Sequence, residues 1–259
     1  MTDAPLLLET RDDRGVVTLT LNRPAAFNAL SEDLIARLRA AAERLQADTG
    51  LRAVVIAGAG KAFCAGHDLR QMRANPSQAY YDELFARCGE MMLALHRLPV
   101  PVIARVQGIA TAAGCQLVAT CDLAVAASDA RFATSGINVG LFCATPSVPL
   151  SRNLSRKAAF EMLVTGDFID AQAARERGLV NRVAPPDRLD AEVDSLVASI
   201  VAKPRLALEV GKALFYRQLE AGMEDALADA GRTMACNMID ATAQEGVQAF
   251  IDKRKPDWR

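Results

Sequence analysis

Two short segments rich in small residues are the parts of this sequence best suited to chemistry. The first runs from Cys64 to Asp68, and the second runs from Ala112 to Gln116. In each, a turn of glycine or alanine lets backbone N–H groups approach a ligand, just ahead of a predicted helix whose N-terminal dipole favours negative charge. We therefore predict that the two turns converge on one carbonyl oxygen and polarise it, as an oxyanion site with two donors does.

Bulk composition excludes several classes of partner. The chain has 259 residues, of which 51% are hydrophobic, so it can bury a sizeable core. A formal net charge of -1 offers no basic field for a phosphate backbone, and we expect no nucleic-acid partner. No run reaches the roughly 18 uncharged apolar residues of a membrane span, and the N-terminus lacks a secretory pattern. We expect no membrane partner and a cytoplasmic location.

The cysteines favour a reducing compartment. None is paired in a C-x-x-C pattern, and the chain has only two histidines. We therefore predict buried, reduced thiols and no metal site. The six cysteines are Cys64, Cys88, Cys115, Cys121, Cys143 and Cys236.

Strand and helix signals alternate through most of the chain. Apolar runs predict strands at 16–21, 53–57, 102–106 and 123–126, and helical spacing predicts helices after Ser31, from 80 to 98 and from 113 to 121. Beyond Asp187 only helices are predicted, at 189–201, 204–219, 223–240 and 242–253. The class is therefore α/β, with a helical tail that forms a second layer or an assembly element. Asp68, three residues before Gln71, predicts a capping box that fixes the His67 amide.

Short motifs recur almost from end to end of the chain, at 21–24, 28–30, 63–69, 107–108, 114–115, 121–122, 163–166, 178–180 and 250–255. Together these motifs resemble the crotonase, or enoyl-CoA hydratase/isomerase, superfamily. Segments 114–117 and 136–143 are similar to the subgroup of enoyl-CoA hydratase domain-containing proteins.

The resemblance implies a crotonase-like spiral of ββα repeats in residues 1–200 that binds acyl-CoA. It assigns residues 201–259 to a helical region that mediates homotrimers, often paired into hexamers. No separate cofactor is implied, because coenzyme A is part of the substrate.

The resemblance also implies the site residues. The thioester oxygen would accept hydrogen bonds from the amides of His67 and Ala113. Ala113 replaces the usual glycine, so this donor is retained only if the local backbone angle is not one reserved for glycine. The implied substrate-binding positions are Ala26, Ala29, Lys61, Ala65, Gly66, Asp68, Leu69, Arg70, Ile109, Gly114 and, from an adjacent subunit, Lys253. Lys61, Arg70 and Lys253 would face coenzyme A phosphates; the alternative is a solvated surface.

The two glutamates that family hydratases use are absent from this chain. Their positions carry Gln116 and Gly136. An amide has no useful basicity near neutral pH, and glycine has no side chain. General acids and bases typically contribute about two to four powers of ten each, so ordinary hydration is not expected.

Other proton carriers and nucleophiles remain open. The His67 imidazole either reaches the acyl group or packs away from it while only its amide works. Cys115 and Cys143 are either nucleophiles or buried thiols.

Two functions follow, and a third has less support. The first is an acyl-CoA lyase or isomerase-type enzyme of fatty-acid or acyl-CoA metabolism, which stabilises an oxyanion on an activated thioester. The alternative is a non-catalytic acyl-CoA binding or regulatory protein. The third is an assembly protein with a vestigial pocket.

Overall fold

Two β-sheets form the centre of the protein in the computed structural model, which describes residues 4–258. The larger sheet has the strand order β1-β2-β3-β4-β6-β9, and the smaller has the order β5-β7-β8. In the described range the strands are β1 (Leu7–Arg11), β2 (Val16–Leu21), β3 (Ala53–Gly58), β4 (Val102–Val106), β5 (Ile109–Thr111), β6 (Leu123–Ala127), β7 (Arg131–Ala133), β8 (Ile169–Asp170) and β9 (Arg182–Ala184).

The larger sheet is parallel except at one edge. β1 pairs antiparallel with β2, and β2, β3, β4, β6 and β9 pair in parallel. In the smaller sheet β5 is parallel to β7, and β8 is antiparallel to β7. Parallel pairing requires a crossover between successive strands, and these crossovers contain the helices and the two small-residue segments.

Helices follow most of the central strands. They are α1 (Glu32–Gln46), α2 (Leu69–Ala74), α3 (Gln78–His96), α4 (Ala113–Thr120), α5 (Ala144–Asn153), α6 (Arg156–Thr165), α7 (Ala171–Glu176), α8 (Leu189–Val201), α9 (Arg205–Leu219), α10 (Met223–Ile239) and α11 (Ala241–Ile251). Short 3-10 helices cover Pro24–Ala26, Ser135–Val139 and Pro186–Arg188.

The strongest sequence signals gave the right elements. All six residues of β3 are buried, in keeping with a central parallel strand. The Ser31 hydroxyl accepts a hydrogen bond from the Leu34 N–H at 3.3 Å and caps α1, whose buried face includes Leu34, Ile35 and Leu38. The predicted α/β alternation and the helical tail are both present.

The short strands were missed. β5, β7, β8 and β9 have two or three residues each, too few for alternation to be visible. Residues 109–111, for which no element was predicted, form β5 because they pair with β7. Tertiary pairing, rather than local propensity, makes these segments strands.

The described residues divide into two compact units. One extends through Val197, and the other begins at Ala198. In the second unit α10 packs against both α9 and α11. This unit exposes several large apolar side chains, such as Phe250, which is 85% exposed. The binding role of the first unit and the trimerisation role of the second stay predictions.

The cysteine prediction needs one correction. Five of the six cysteines are buried and form no disulfide, but Cys236 on α10 is exposed. Among the described residues, no helix is long and apolar enough to cross a bilayer. That same part of the chain holds no group of three or more His, Cys, Asp or Glu residues arranged to hold a metal ion.

Candidate functional site

Backbone hydrogen bonds join the two small-residue segments side by side. The N–H groups of Phe63 and Cys64 both donate to the Ile109 carbonyl at 3.1 Å. In return, the Thr111 N–H donates to the Cys64 carbonyl at 3.0 Å. The loop after β3 and the loop after β4, which are distant in sequence, therefore form one structural unit ahead of α2 and α4.

Two glycines allow the segments to approach each other. A Cβ atom at Gly114 would lie 2.1 Å from the Cys64 carbonyl oxygen, so no side chain fits there. Gly66 has φ +92, and a Cβ atom on it would lie 3.2 Å from the Ala113 nitrogen. Glycine at both positions is therefore a packing requirement. At Gly114, this packing requirement accounts for the glycine by itself, so no contact with a ligand is needed to explain it.

Backbone hydrogen bonds to Leu30 fix the direction of the His67 amide. Leu30 donates its N–H to the Gly66 carbonyl at 2.7 Å and accepts the Asp68 N–H at 3.2 Å. In a parallel bridge, the residue between these two neighbours directs its own N–H away from the partner strand. The His67 N–H therefore points away from Leu30, and within the described residues it donates to no other backbone group.

The Ala113 amide lies at the first position of α4. The first N–H groups of a helix have no partner inside the helix and carry its positive dipole end. Ala113 is not among the residues with positive φ, so replacement of glycine keeps this donor. The unusual residue is Ala112, with φ 50 and ψ -121, which places the strain one residue before the donor.

Arg23 and Asn28 hold the first segment, and the sequence analysis assigned no role to either. The fully buried Asn28 side chain accepts the Arg23 N–H at 2.9 Å and donates to the carbonyls of Ala59 and Ala62 at 2.9 and 2.8 Å. Arg23 also pairs with Asp68, with Nη2 2.9 Å from Oδ2. The sequence contains one signal for the role of Asn28, namely an asparagine near a turn in an apolar stretch. Asparagine tolerates a positive φ, and the φ of Asn28 is 56.

Asp68 caps α2, as predicted, but the capping box is incomplete. Its Oδ1 accepts the N–H groups of Arg70 and Gln71 at 3.1 and 3.4 Å. Gln71 does not return the bond; its Oε1 accepts the Glu32 N–H at 3.1 Å instead. Burial raises the pKa of Asp68, but the Arg23 side chain and the two amides outweigh it and hold this pKa below its ordinary value.

Neither position of the missing glutamates carries a carboxylate, and the two positions differ in the space that is available to a side chain. Gln116 is on α4 and only 5% exposed, and its Oε1 is buried without a hydrogen-bond partner among the described residues. At Gly136, a Cβ atom would lie 2.6 Å from the Leu141 carbonyl oxygen and 2.8 Å from Cys143 Sγ. A thiol and a backbone carbonyl therefore occupy the space beside Gly136.

The His67 imidazole packs edge-on against Phe85, with ring centroids 5.4 Å apart. Both of its nitrogens are buried and have no hydrogen-bond partner in the described structure. Burial lowers the pKa of His67 to about 4, so the ring is neutral at physiological pH. A neutral, packed imidazole favours the interpretation in which the amide of His67 does the work.

The thiols near the site are protonated at neutral pH. Burial raises the pKa of Cys64 and of Cys115 to about 12, and it raises the pKa of Cys143 as well. A nucleophilic cysteine requires a lowered pKa, so the interpretation of these residues as buried thiols is the better one.

The remaining predicted binding residues surround the first segment or lie in the second unit. Lys61 is exposed, with its Nζ 5.1 Å from the Phe27 ring centre, and Leu69 and Arg70 are exposed at the start of α2. Ala26, Ala29 and Ala65 are half-buried, and Ile109 is partly exposed in β5. Lys253 is exposed and follows α11 in the second unit, so its assignment to an adjacent subunit's site stays a prediction.

Comparison with known proteins defines the class. The sequence profile of the enoyl-CoA hydratase/isomerase family matches residues 11–259. The chain therefore belongs to this family, and its fold is that of the crotonase superfamily.

Individual relatives agree with the predicted subgroup. The chain is 41% identical over 254 residues to the mitochondrial enoyl-CoA hydratase domain-containing protein 3 of Rattus norvegicus, covering 98% of this chain and 85% of the relative. The human protein of that name has a crystal structure with a TM-score of 0.94 and 39% identity, covering 98% and 100% of the two chains. An enoyl-CoA hydratase structure from Mycobacterium smegmatis has a TM-score of 0.98 and 67% identity, with coverage of 98% and 99%.

Ala112→Gly should stabilise the protein, because glycine relieves the positive φ that alanine adopts only with strain. We expect the free energy of unfolding, measured in urea, to rise by about 1 kcal/mol. The matched control is Ala113→Gly, where the backbone is helical and glycine should lower stability. Changes of the same sign in both variants would contradict the assignment of strain to Ala112.

Gly136→Ala should destabilise the protein, because the added methyl meets a backbone carbonyl and a thiol. We expect a loss of about 1 to 3 kcal/mol in urea unfolding. Gly211→Ala on α9 is the control, since a Cβ atom there meets nothing within 4 Å. An unchanged unfolding midpoint for Gly136→Ala would mean that the space is open and that a glutamate can be restored.

The buried His67 ring should make stability depend on pH. Its pKa rises from about 4 in the folded protein to the ordinary 6.5 on unfolding, so the unfolded state binds more protons between these values. Stability is therefore retained above pH 6.5 and falls as the pH drops toward 4, by about 3 kcal/mol. Urea unfolding of the wild type and His67→Leu across this window measures the difference. Parallel pH profiles for the two proteins would refute it.

Proposed function

We propose that this protein binds acyl-CoA thioesters and polarises the thioester carbonyl with the backbone amides of His67 and Ala113. The close approach at Gly66 carries the proposal, since it brings the residue before His67 against the Ala113 nitrogen. Both N–H groups lack a backbone acceptor in the described residues, and both belong to segments held rigidly by other hydrogen bonds. Donors fixed in advance stabilise a developing oxyanion without reorganisation.

The surroundings of the first segment suit coenzyme A. Lys61 and Arg70 are exposed cations beside the apolar Phe27 and Leu69, which are 43% and 58% exposed. A ligand with a phosphorylated nucleotide and an apolar arm matches cations next to apolar surface. This support concerns the coenzyme A part of the ligand.

The reaction we propose is of the acyl-CoA lyase or isomerase type, on a thioester whose own structure supplies most of the driving force. The two amides can stabilise an enolate or tetrahedral oxyanion. Hydration by paired carboxylates is not proposed, because Gln116 cannot act as a base and Gly136 has no room for a side chain. The neutral His67 ring packs against Phe85 and offers no acid at physiological pH.

A non-catalytic acyl-CoA binding or regulatory protein is the second candidate. The thiol and carbonyl that fill the space beside Gly136 favour it, because they leave no room for a carboxylate at that position. Mass spectrometry of enoyl-, malonyl- and hydroxyacyl-CoA incubated with the protein separates the two. If any of these thioesters gives a product, the protein is an enzyme. If all of them stay unchanged, it is a binding protein.

We further propose a homotrimer or hexamer assembled through the C-terminal helices. Its support is the exposed apolar surface of the second unit, including Met223, Ile239 and Phe250. A cytoplasmic location stays a prediction.

Ala113→Pro should remove one donor, because proline is favoured at the first position of a helix and lacks the N–H. Ala112, the residue before it, has φ 50 and ψ -121 rather than the extended backbone that precedes proline, so urea unfolding of the variant is measured first and must show a folded protein. Infrared difference spectra of carbon-13-labelled butyryl-CoA should show the bound carbonyl stretch at lower frequency than in buffer. In the variant we expect much of this shift to be lost and the affinity to fall by about tenfold. Any turnover should meet a barrier higher by about 2.7 to 4 kcal/mol.

Arg156→Pro is the control for that substitution. Arg156 is the exposed first residue of α6, and its cap Ser155 already has the extended backbone that precedes proline. The control should bind and shift the carbonyl as the wild type does. An unchanged shift in Ala113→Pro itself would remove the Ala113 amide from the account.

A further inference from the structure

The His67 amide is the last group in a row of hydrogen-bonded peptide groups. Its own peptide group begins with the Gly66 carbonyl, which accepts the Leu30 N–H at 2.7 Å. The peptide group of Leu30 begins in turn with the Ala29 carbonyl, and this oxygen accepts a hydrogen bond from Arg23 Nη1 at 2.5 Å. In a trans peptide the C=O and N–H groups point in opposite directions. The row therefore runs in one direction, from the Arg23 guanidinium to the His67 N–H.

Arg23 is held firmly at the head of this row. Its Nη2 lies 2.9 Å from Asp68 Oδ2, and its backbone N–H donates to Asn28 Oδ1 at 2.9 Å. The side chains of Arg23 and Asp68 are only 20% and 14% exposed. Because a guanidinium carries its donors in a rigid planar fork, one side chain holds the Ala29 carbonyl and the Asp68 carboxylate at the same time.

The two proposed donors have different groups behind them. The carbonyl in the peptide group of Ala113 accepts the Gln116 N–H at 3.0 Å, so α4 itself supplies the hydrogen bond behind that donor. α2 begins two residues after His67. The hydrogen bond behind the His67 amide therefore comes from Leu30 and, through Leu30, from the Arg23 side chain.

A charged group at the head of such a row strengthens the donor at its other end. A carbonyl that accepts from a guanidinium is polarised more strongly than one that accepts from a neutral donor. Hydrogen bonds in a row polarise one another, by about 10 to 30% per bond. The Asp68 carboxylate offsets part of the Arg23 charge while it holds the guanidinium in place.

We propose that Arg23 is a positioning residue of the oxyanion site, which strengthens the His67 N–H as a donor through the two intervening peptide groups. The inference rests on the proposed function, since a thioester oxygen must accept from this N–H. Arg23 itself touches neither the thioester nor the second donor. Its effect is on the polarisation of the bound carbonyl more than on affinity.

The test reads the strength of the donors from the bound carbonyl. Infrared difference spectra of butyryl-CoA, labelled with carbon-13 at the thioester carbonyl, are recorded for the wild type and for variants whose folding is checked by urea unfolding. Arg23→Gln removes the charge, and we expect the downward shift of the carbonyl stretch to shrink by about 10 to 30%. Arg23→Lys keeps the charge and should restore most of the shift.

Asp68→Ser separates polarisation from simple support. A serine still caps α2 but leaves the Arg23 charge without its counterion, so the carbonyl shift should increase. If Arg23 acted only by holding Asp68 in place, the shift would fall in Asp68→Ser as it does in Arg23→Gln. Arg11→Gln is the matched control, since Arg11 on β1 is also paired with one carboxylate, that of Asp48. It should give the wild-type shift.

Two results would overturn the proposal. One is a wild-type shift in Arg23→Gln, and the other is a reduced shift in Asp68→Ser, which decides the question even if Arg23→Gln does not fold. A carbonyl that shifts equally in the wild type and in the Arg23 variants removes this inference alone. If the wild type binds no thioester, or binds it without a shift, the proposed function fails as well.

Discussion

The close contact of two backbone segments at Gly66 and Gly114 is the constraint on which the rest of the site depends. A side chain at Gly114 would collide with the Cys64 carbonyl, and one at Gly66 would crowd Ala112 and the Ala113 nitrogen. Hydrogen bonds from Phe63, Cys64 and Thr111 fix the same contact from the backbone. Donors held this way need not move when charge develops on a ligand, which is the physical advantage of a preorganised site.

The support for this contact extends well beyond the two segments. Leu30 pairs with the residues on either side of His67, while Asn28 and Arg23 hold the preceding loop and Asp68. The strain at Ala112 persists because its N–H donates to Ala133 and its carbonyl accepts from Gln116. In the proposed site, polarising capacity comes from main-chain geometry, whereas the side chains of His67, Gln116 and Cys143 are neutral. This combination separates the chain from a hydratase that relies on paired carboxylates.

The sequence was informative where local physics decides the outcome. Apolar runs predicted β2, β3, β4 and β6, Ser31 and Asp68 were identified as helix caps, and the small-residue turns predicted the two loops. The resemblance to the crotonase superfamily, which the comparisons confirm, drew attention to Gln116 and Gly136. The features that the sequence did not predict depend on contacts between distant residues. The pairing of β5 with β7, the position of Cys143 beside Gly136 and the packing of His67 on Phe85 leave no periodic signal.

A crystal structure of the protein with butyryl-CoA bound tests the central claim most directly. The account predicts that the thioester oxygen lies about 2.7 to 3.1 Å from both the His67 nitrogen and the Ala113 nitrogen. It also predicts that no carboxylate contacts the acyl group. A thioester oxygen bonded to neither amide, or to only one of them, would contradict the account.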